Sequence, residues 1–398
     1  MSSRKNILIV CTHNYNQQPR VLRTIEALKN NYNISVAGLS DAKEHAINFI
    51  PLTQNPTQGK KEYWHFNKPA VIRLPVSFYH KYFIQKQFNK AANFEQQYWT
   101  NERKSDLIKL SEEKIDLIIS HGVDTLPLAV KISNNKIPVI FNAHEYYPLE
   151  FEQNENWLKT QGAFANYAIG KYLPKCTRMF CVSEQIQLEY QKSNKINSIV
   201  ITNATSYKNL NPKKTSLPIK IIHHGAAMRA RQIELMADMM NYLSNDYELY
   251  LMLVPTEVDY LSELKLKYKS NSKIIFIEPV AVSEIPAECN KYDIGLFILP
   301  PVNFNWLNVL PNKLFEYVQG RLCLAVSPNP DMKGIVEKFE LGIVSENYSA
   351  GAMAEKIKSL NIVKIDAFKS NSHKHAAELS GEHNQRLMLS EINKILLN

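Results

Sequence analysis

Residues 6–39 read NILIVCTHNYNQQPRVLRTIEALKNNYNISVAGL. Asn6–Val10 is a short apolar run with the length of a strand. A polar loop follows, and Pro19-Arg20-Val21 opens a helix to about Lys29. Proline suits the first helical turn because its missing N–H has no partner to find there. Ile34–Leu39 is apolar again and reads as a second strand. Strand, helix and strand in this order form a parallel βαβ unit.

The alternation continues along the chain. Residues 114–119 read as a strand ending at Ser120-His121-Gly122, followed by a helix over Leu126–Ser133. Pro138–Phe141 is a strand ending at Asn142-Ala143-His144-Glu145. Met179–Val182 and Ser198–Ile201 are strands with a helix from Glu184 to Lys192 between them. Residues 204–218 are polar, hold two prolines and show no periodicity, as a linker does. The pattern then restarts: strand Lys220–His223, helix Arg231–Leu243, and strands Leu249–Val254, Ile274–Ile277, Asp293–Leu299 and Cys323–Val326. Near the end, Leu387, Leu389, Ile392, Ile395 and Leu396 share one helical face. The expectation is an α/β chain of two Rossmann-like doubly wound domains facing a central cleft. The boundaries are 1–203, a linker at 204–218, a second domain at 219–380 and a terminal helix at 381–398. In such sheets ligands bind outside the carboxyl ends of the strands.

Composition agrees with folded domains. The chain has 398 residues, 45% of them hydrophobic and 21% charged, which excludes a disordered or collagenous protein. The five cysteines form no CxxC pair, so they read as small buried hydrophobes of a reducing compartment and not as zinc ligands. The apolar core of the N-terminus, Ile7 to Cys11, is too short for a signal peptide. No run approaches the ~18 apolar residues of a membrane span. The expected location is cytoplasmic. The formal charge of +9 points to an anionic partner, whether nucleic acid, a membrane surface or a phosphorylated ligand.

The strongest local signal is Leu310-Pro311-Asn312-Lys313-Leu314-Phe315-Glu316-Tyr317. Proline opens a helix after an irregular loop, so the free N–H groups of Asn312 to Leu314 and the positive end of the helix dipole offer a phosphate site. Lys313 adds a full charge. Glu316 lies one turn further in and can accept hydrogen bonds from a ribose. An ordinary capped helix with a solvated Lys and Glu explains the spacing equally well.

Here the sequence resembles a known family. PNKLFEYVQG (311–320), preceded by YDIGLFILPP (292–301), is similar to the nucleotide-sugar segment of GT-B glycosyltransferases, in particular the retaining family four, also called glycosyl transferases group 1. QPRV with RTIEALKN, SHGVDTLPLA, PVIFNAHEYYP, FCVSEQIQLEY with VITNA, and HHGAAMRARQIELM resemble further segments of that family in the same order. The resemblance spans about residues 5–40 and 114–345. It implies a GT-B fold whose C-terminal helix returns to the N-terminal domain. It also implies a retaining transfer of sugar from a UDP- or GDP-sugar to a saccharide or polyprenyl-linked acceptor, in bacterial cell-surface polysaccharide synthesis.

The resemblance implies site residues only where positions match. His144 matches the family's active-site histidine near the anomeric carbon, hydrogen-bonding through its backbone carbonyl or imidazole. Glu145 lies beside it, and His121 ends the neighbouring strand. Glu316 matches the second member of a Glu-x7-Glu pair, but the first position is Asn308, which cannot carry charge or act as a base. A basic pair after Gly225 would clamp the diphosphate. The usual first position is Ala226, so Arg229 and Arg231 are the candidates, with Pro311, Asn312, Lys313 and Leu314 from the helix. The loop Thr12–Gln18 lacks the family's glycines, and Arg20 is a candidate for the acceptor side. No metal motif stands at a strand end, so the basic groups are expected to neutralise the leaving diphosphate without a metal or other cofactor.

Residues 60–104 hold nine Lys and Arg, three Glu and eleven aromatics, a net +6. Such interleaving suits an anionic membrane interface or single-stranded nucleic acid, and also a packed helical excursion with a solvated basic face. The family resemblance favours a peripheral membrane contact at the inner face and no nucleic acid. Three rival readings remain: an inactive sugar-nucleotide-binding partner protein, a sugar-nucleotide epimerase, and a basic nucleic-acid-binding protein, for which no RNA-binding signature is present.

Overall fold

A computed structural model describes residues 4–12, 14–15, 18–39, 47–53 and 91–397, with 91–93 as backbone only. Most of the basic aromatic stretch, residues 60–90, lies outside the described residues. So does His13 in the loop after the first strand.

The chain divides into two compact units. The first comprises Met1–Val182, Ile186–Val200 and Leu387–Asn398. The second comprises Ser183–Gln185 and Ile201–Arg386. The last residues of the chain therefore belong to the first unit.

The strands of the first unit are β1 (Asn6–Val10), β2 (Asn33–Gly38), β3 (Asn48–Pro51), β4 (Leu117–His121), β5 (Val139–Asn142), β6 (Arg178–Cys181) and β7 (Ile199–Val200). They form one sheet in the order β3-β2-β1-β4-β5-β6-β7, and each neighbouring pair is parallel. β1 has four of its five residues buried and β4 all five, as a sheet covered on both faces requires. The order reverses between β1 and β4, which opens a crevice at their carboxyl ends.

The second unit repeats the plan. Its strands are β8 (Ile219–Ala226), β9 (Tyr247–Val254), β10 (Ile274–Ile277), β11 (Ile294–Phe297), β12 (Cys323–Val326) and β13 (Gly342–Val344). The order is β10-β9-β8-β11-β12-β13, again all parallel. Two cores sandwich this sheet with the period of two that a strand imposes. Ile294 and Leu296 face one core with Cys323 and Ala325. Phe297 faces the other with Leu324 and Val326. Both sheets thus have the doubly wound α/β build expected from the alternation.

Several elements depart from the sequence reading. β3 and β13 are short edge strands with partly exposed residues, so they carry little apolar signal. The helix expected over Arg231–Leu243 is a 3-10 turn at Arg229–Arg231, a helix at Glu234–Asp238 and a 3-10 turn at Met239–Tyr242. Gln232 takes a left-handed φ of 49°, which no helix interior accepts. Residues 155–172 hold helical segments that were not anticipated, including a π-helical turn at Leu158–Gly162.

Residues 204–218 form no regular element, but they are strapped to the second unit. The buried Arg321 guanidinium donates to the carbonyls of Lys208 at 2.5 Å and Leu210 at 3.1 Å. Lys369, 1% exposed, pairs with Asp293 at 2.8 Å and reaches the Thr215 hydroxyl at 3.4 Å. Removing one partner of a buried pair strands the other charge. Lys369→Met should therefore lower the unfolding free energy by about 3–5 kcal/mol in urea denaturation. A loss below about 1 kcal/mol would show that Asp293 is satisfied without it.

Candidate functional sites at the two strand-order reversals

In the second unit the reversal lies between β8 and β11. β8 ends at His223-His224-Gly225-Ala226. Gly225 has φ +141°, and a Cβ built on it would stand 2.7 Å from Lys313 Cε and Nζ and 3.2 Å from Arg231 Nη1. Two cations remote in sequence therefore converge over one glycine. Lys313 Nζ also lies 5.0 Å from the ring centre of Phe297 at the end of β11. Burial, reinforced by the charge of Arg231 and opposed by Glu316, pushes the Lys313 pKa down to about 7. Burial lowers that of Arg231 as well. Neither side chain makes a hydrogen bond or an ion pair among the described residues.

The helix Asn312–Gln319 sets this geometry. It sits directly on β11: a Cβ at Gly295 would meet the Tyr317 ring at 2.4 Å, and the Tyr317 hydroxyl donates to the Leu296 carbonyl at 3.1 Å. Pro311 lies just before the helix in an extended conformation, φ −79° and ψ 154°. Its carbonyl accepts the Leu314 N–H at 3.2 Å. Leu314 therefore does not offer the free donor that the sequence suggested. The Asn312 side-chain oxygen accepts from Asn203 Nδ2.

Glu316 points inward. It is 4% exposed, and its Oε2 lies 3.3 Å from His224 Nε2. His223 stacks on Phe297 and meets the Leu296 carbonyl through Nδ1 at 3.0 Å. Burial, then the charge of Lys313, pushes His223 down to about 3 and His224 well below its ordinary value, so both are neutral. Sequence reading missed the two histidines and Phe297. A His-His-Gly ending to an otherwise apolar strand was the available signal.

Arg229 and Asn308 do not join the cation pair. Arg229 is half-exposed and forked onto Glu263 at 2.7 and 2.6 Å. Asn308 ends the short helix Phe304–Leu307, and its Nδ2 donates to the Phe304 carbonyl at 3.0 Å.

In the first unit the reversal lies between β1 and β4. His121, at the end of β4, has Nδ1 3.0 Å from Nε2 of His144. The His144 carbonyl accepts from Arg20 Nη1 at 2.7 Å, and its N–H donates to the Tyr147 hydroxyl at 3.2 Å. The carbonyl that the resemblance offered to a sugar is thus already bonded. Arg20 acts inside the protein as the clamp on His144. Burial lowers Arg20 to about 10, against the pull of Tyr147 and Glu145. Burial and the Arg20 charge push His121 down to about 3. Burial raises Glu145, opposed by Arg20. Burial, with the charges of Glu145 and Asp124, pushes Glu150 up to about 7. His121, Asp124, His144, Glu145, Tyr147 and Glu150 line a cavity of about 570 Å³.

No disulfide joins any of the five cysteines, four of which are buried. No group of three or more His, Cys, Asp or Glu among the described residues is arranged to hold a metal ion. No helix among those residues is long and apolar enough to cross a membrane.

Two parallel sheets of this order, each with its polar groups gathered at the reversal, define the GT-B class of fold. Solved structures agree. The HepE protein of Anabaena in complex with UDP matches with 12% identity and a TM-score of 0.68, over 98% of this chain and 100% of that one. A sucrose-phosphate synthase from Thermosynechococcus elongatus matches with 12% identity and a TM-score of 0.71, over 99% and 100%. A glycosyltransferase from Rickettsia africae matches with 12% identity and a TM-score of 0.67, over all of both chains. At such identities the likeness establishes the fold. No protein-family model and no curated protein matches the chain.

A partly desolvated cation without a carboxylate partner costs stability. The sign follows from Lys313, whose folded pKa lies below its unfolded one. Its penalty is complete below about pH 7 and fades as pH rises towards the ordinary lysine value. In buffer free of multivalent anions, Lys313→Met should therefore raise the thermal midpoint at pH 7 and leave it nearly unchanged near pH 10. A midpoint that falls at pH 7 would show that Lys313 already has a partner.

Proposed function

We propose that the protein is a glycosyltransferase that moves a sugar from a nucleotide-diphosphate sugar to a saccharide or lipid-linked saccharide acceptor with retention of configuration. The observation that carries this reading is the convergence of Arg231 and Lys313 over Gly225 at a strand-order reversal. Two half-buried cations beside a helix N-terminus suit the two phosphates of such a donor. The solved likenesses include one complex with UDP and one with UDP-glucose, both of HepE. Lys313 and Arg231 would neutralise the departing diphosphate without a metal ion. Glu316, backed by His224, would take the ribose.

In the proposed step the bond from the anomeric carbon to the phosphate oxygen breaks. The acceptor oxygen bonds to the same face of that carbon, and its proton passes to the departing phosphate. His144, oriented by His121 and Arg20, is the group we place at the reacting sugar. The cell-surface polysaccharide role, the cytoplasmic location and a membrane contact through residues 60–104 complete the proposal. Retention of the protein on anionic vesicles at low salt, reversed by added salt, would support that contact.

A panel of UDP, GDP, CMP and their sugars in thermal-shift experiments tests the donor. A nucleotide at 100 times its Kd should add ~2.7 kcal/mol of stability. Its affinity should fall by up to about tenfold per pH unit above pH 7, because a bound diphosphate holds the Lys313 proton that the free site releases. An affinity flat from pH 7 to 9 would remove Lys313 from the contact. With an acceptor supplied, His144→Ala should lower kcat by at least about a hundredfold at unchanged nucleotide affinity. The capped Asn308, where the family resemblance implies a carboxylate, favours the reading of an inactive sugar-nucleotide-binding partner. Donor binding without turnover on any acceptor or water would select that alternative.

A further inference from the structure

The cavity of the first unit has a composition that the donor does not explain. Its volume of about 570 Å³ is ample for one or two sugar rings and small for a protein segment. One wall is aromatic. Trp157 meets Phe151 edge-to-face, with ring centres 5.5 Å apart, and Phe164 stacks on Tyr98 at 5.8 Å. Phe151 is 47% exposed although it lies on the cavity rim. Trp157 immediately precedes the π-helical turn Leu158–Gly162, an irregularity that helices retain mainly at functional sites.

The rest of the lining is acidic. Asp124, Glu145 and Glu150 all face the cavity. Two guanidiniums lie near them, and both are committed to uncharged oxygens. Arg103 donates to the Tyr98 hydroxyl at 2.7 Å and to the Asp124 carbonyl at 3.3 Å. Arg20 donates to the His144 carbonyl. His121 is held neutral by burial, and its Nδ1 is paired with His144. His121 is 4% exposed, and its Nε2 has no hydrogen-bond partner. The described lining therefore carries more negative than positive charge and keeps a buried polar nitrogen unsatisfied.

Flat aromatic faces beside carboxylates suit a pyranose ring. The C–H face of the sugar covers the rings while its hydroxyls donate to the carboxylates. The same carboxylates oppose an anionic ligand.

We propose that this cavity binds one sugar ring of the acceptor, stacked on the Trp157 and Phe151 wall, and that it admits neutral or amine-bearing sugars while rejecting carboxylated and phosphorylated ones. The name acceptor rests on the transfer reading above. The binding itself does not.

The test uses the full chain and three probes: methyl α-D-glucopyranoside, the corresponding glucosaminide with a free amine, and the corresponding glucuronide. Saturation-transfer NMR and tryptophan fluorescence report binding. The first two probes should bind saturably and the glucuronide about tenfold more weakly. Trp157→Ala should weaken the neutral glycoside about tenfold. At pH 8, above the Glu150 pKa of about 7, Glu150→Gln should bring the glucuronide to within about threefold of the neutral glycoside. Trp157 is only part-buried, so its replacement leaves the core intact, and an unchanged thermal midpoint would verify this. Equal or tighter binding of the glucuronide by the wild-type protein overturns the proposal. So does unchanged binding by Trp157→Ala, or failure of all three probes to bind. UDP binding measured on the same samples separates the two readings. UDP retained with no glycoside bound defeats this inference alone, and glycoside retained with no UDP bound defeats the donor assignment alone.

Discussion

The seat of Tyr317 on Gly295 governs the candidate donor site. A parallel strand can accept a helix this close only where it lacks a side chain, and any Cβ at Gly295 would overlap the ring. The hydroxyl bond to Leu296 then fixes the roll of the helix. Once Tyr317 is down, Lys313, four residues earlier, is carried to the end of β8, and Glu316 is turned towards His224. A helix standing one side-chain layer further out would place Lys313 in solvent, with an ordinary pKa and no reason to seek an anion. The cost of crowding a side chain into such a contact, about 1–3 kcal/mol, is small beside the loss of this geometry.

The polar groups at the two strand-order reversals are built with opposite sign. In the second unit, a half-buried lysine and arginine converge with no carboxylate in hydrogen-bonding range, and two neutral histidines pack beside them. In the first unit, burial and then the neighbouring carboxylates Glu145 and Asp124 push Glu150 up to about 7 in a shared cavity. Both arrangements destabilise the free protein, because like charges are held together out of water. Folds tolerate such clusters chiefly where a ligand relieves them. The overall charge of +9 is therefore a poor guide to either site, since the decisive charges are few, local and of both signs.

The fold was legible because its signal is repeated. Each β-strand core announces itself as an apolar run such as LIISH or IGLF, and each is followed by an amphipathic helix. The elements that escaped notice lack such a run. β3 and β13 are half-exposed edges, and residues 229–242 are broken by a left-handed Gln232. Lys313, Glu316 and Arg231 were legible because local chemistry, a proline-led helix or a basic group after a strand, marks them. Phe297, His223 and the role of Arg20 depend on which strand ends lie side by side, and that is a property of strand order.

Arg229 shows where sequence spacing reaches its limit. It lies two residues from Arg231 and carries the same group, yet it forks onto Glu263 at the surface while Arg231 turns inward. The two separate because the 3-10 turn Arg229–Arg231 advances about 120° per residue, so positions two apart leave it in different directions. The left-handed Gln232 then ends the turn and lets Arg231 lie over Gly225. A regular helix, at about 100° per residue, would also part positions two apart, but it would run on through residue 232 instead of stopping at the left-handed Gln232. Spacing of two on a tight turn that Gln232 closes thus divides two identical side chains into a surface ion pair and one member of a half-buried cation pair.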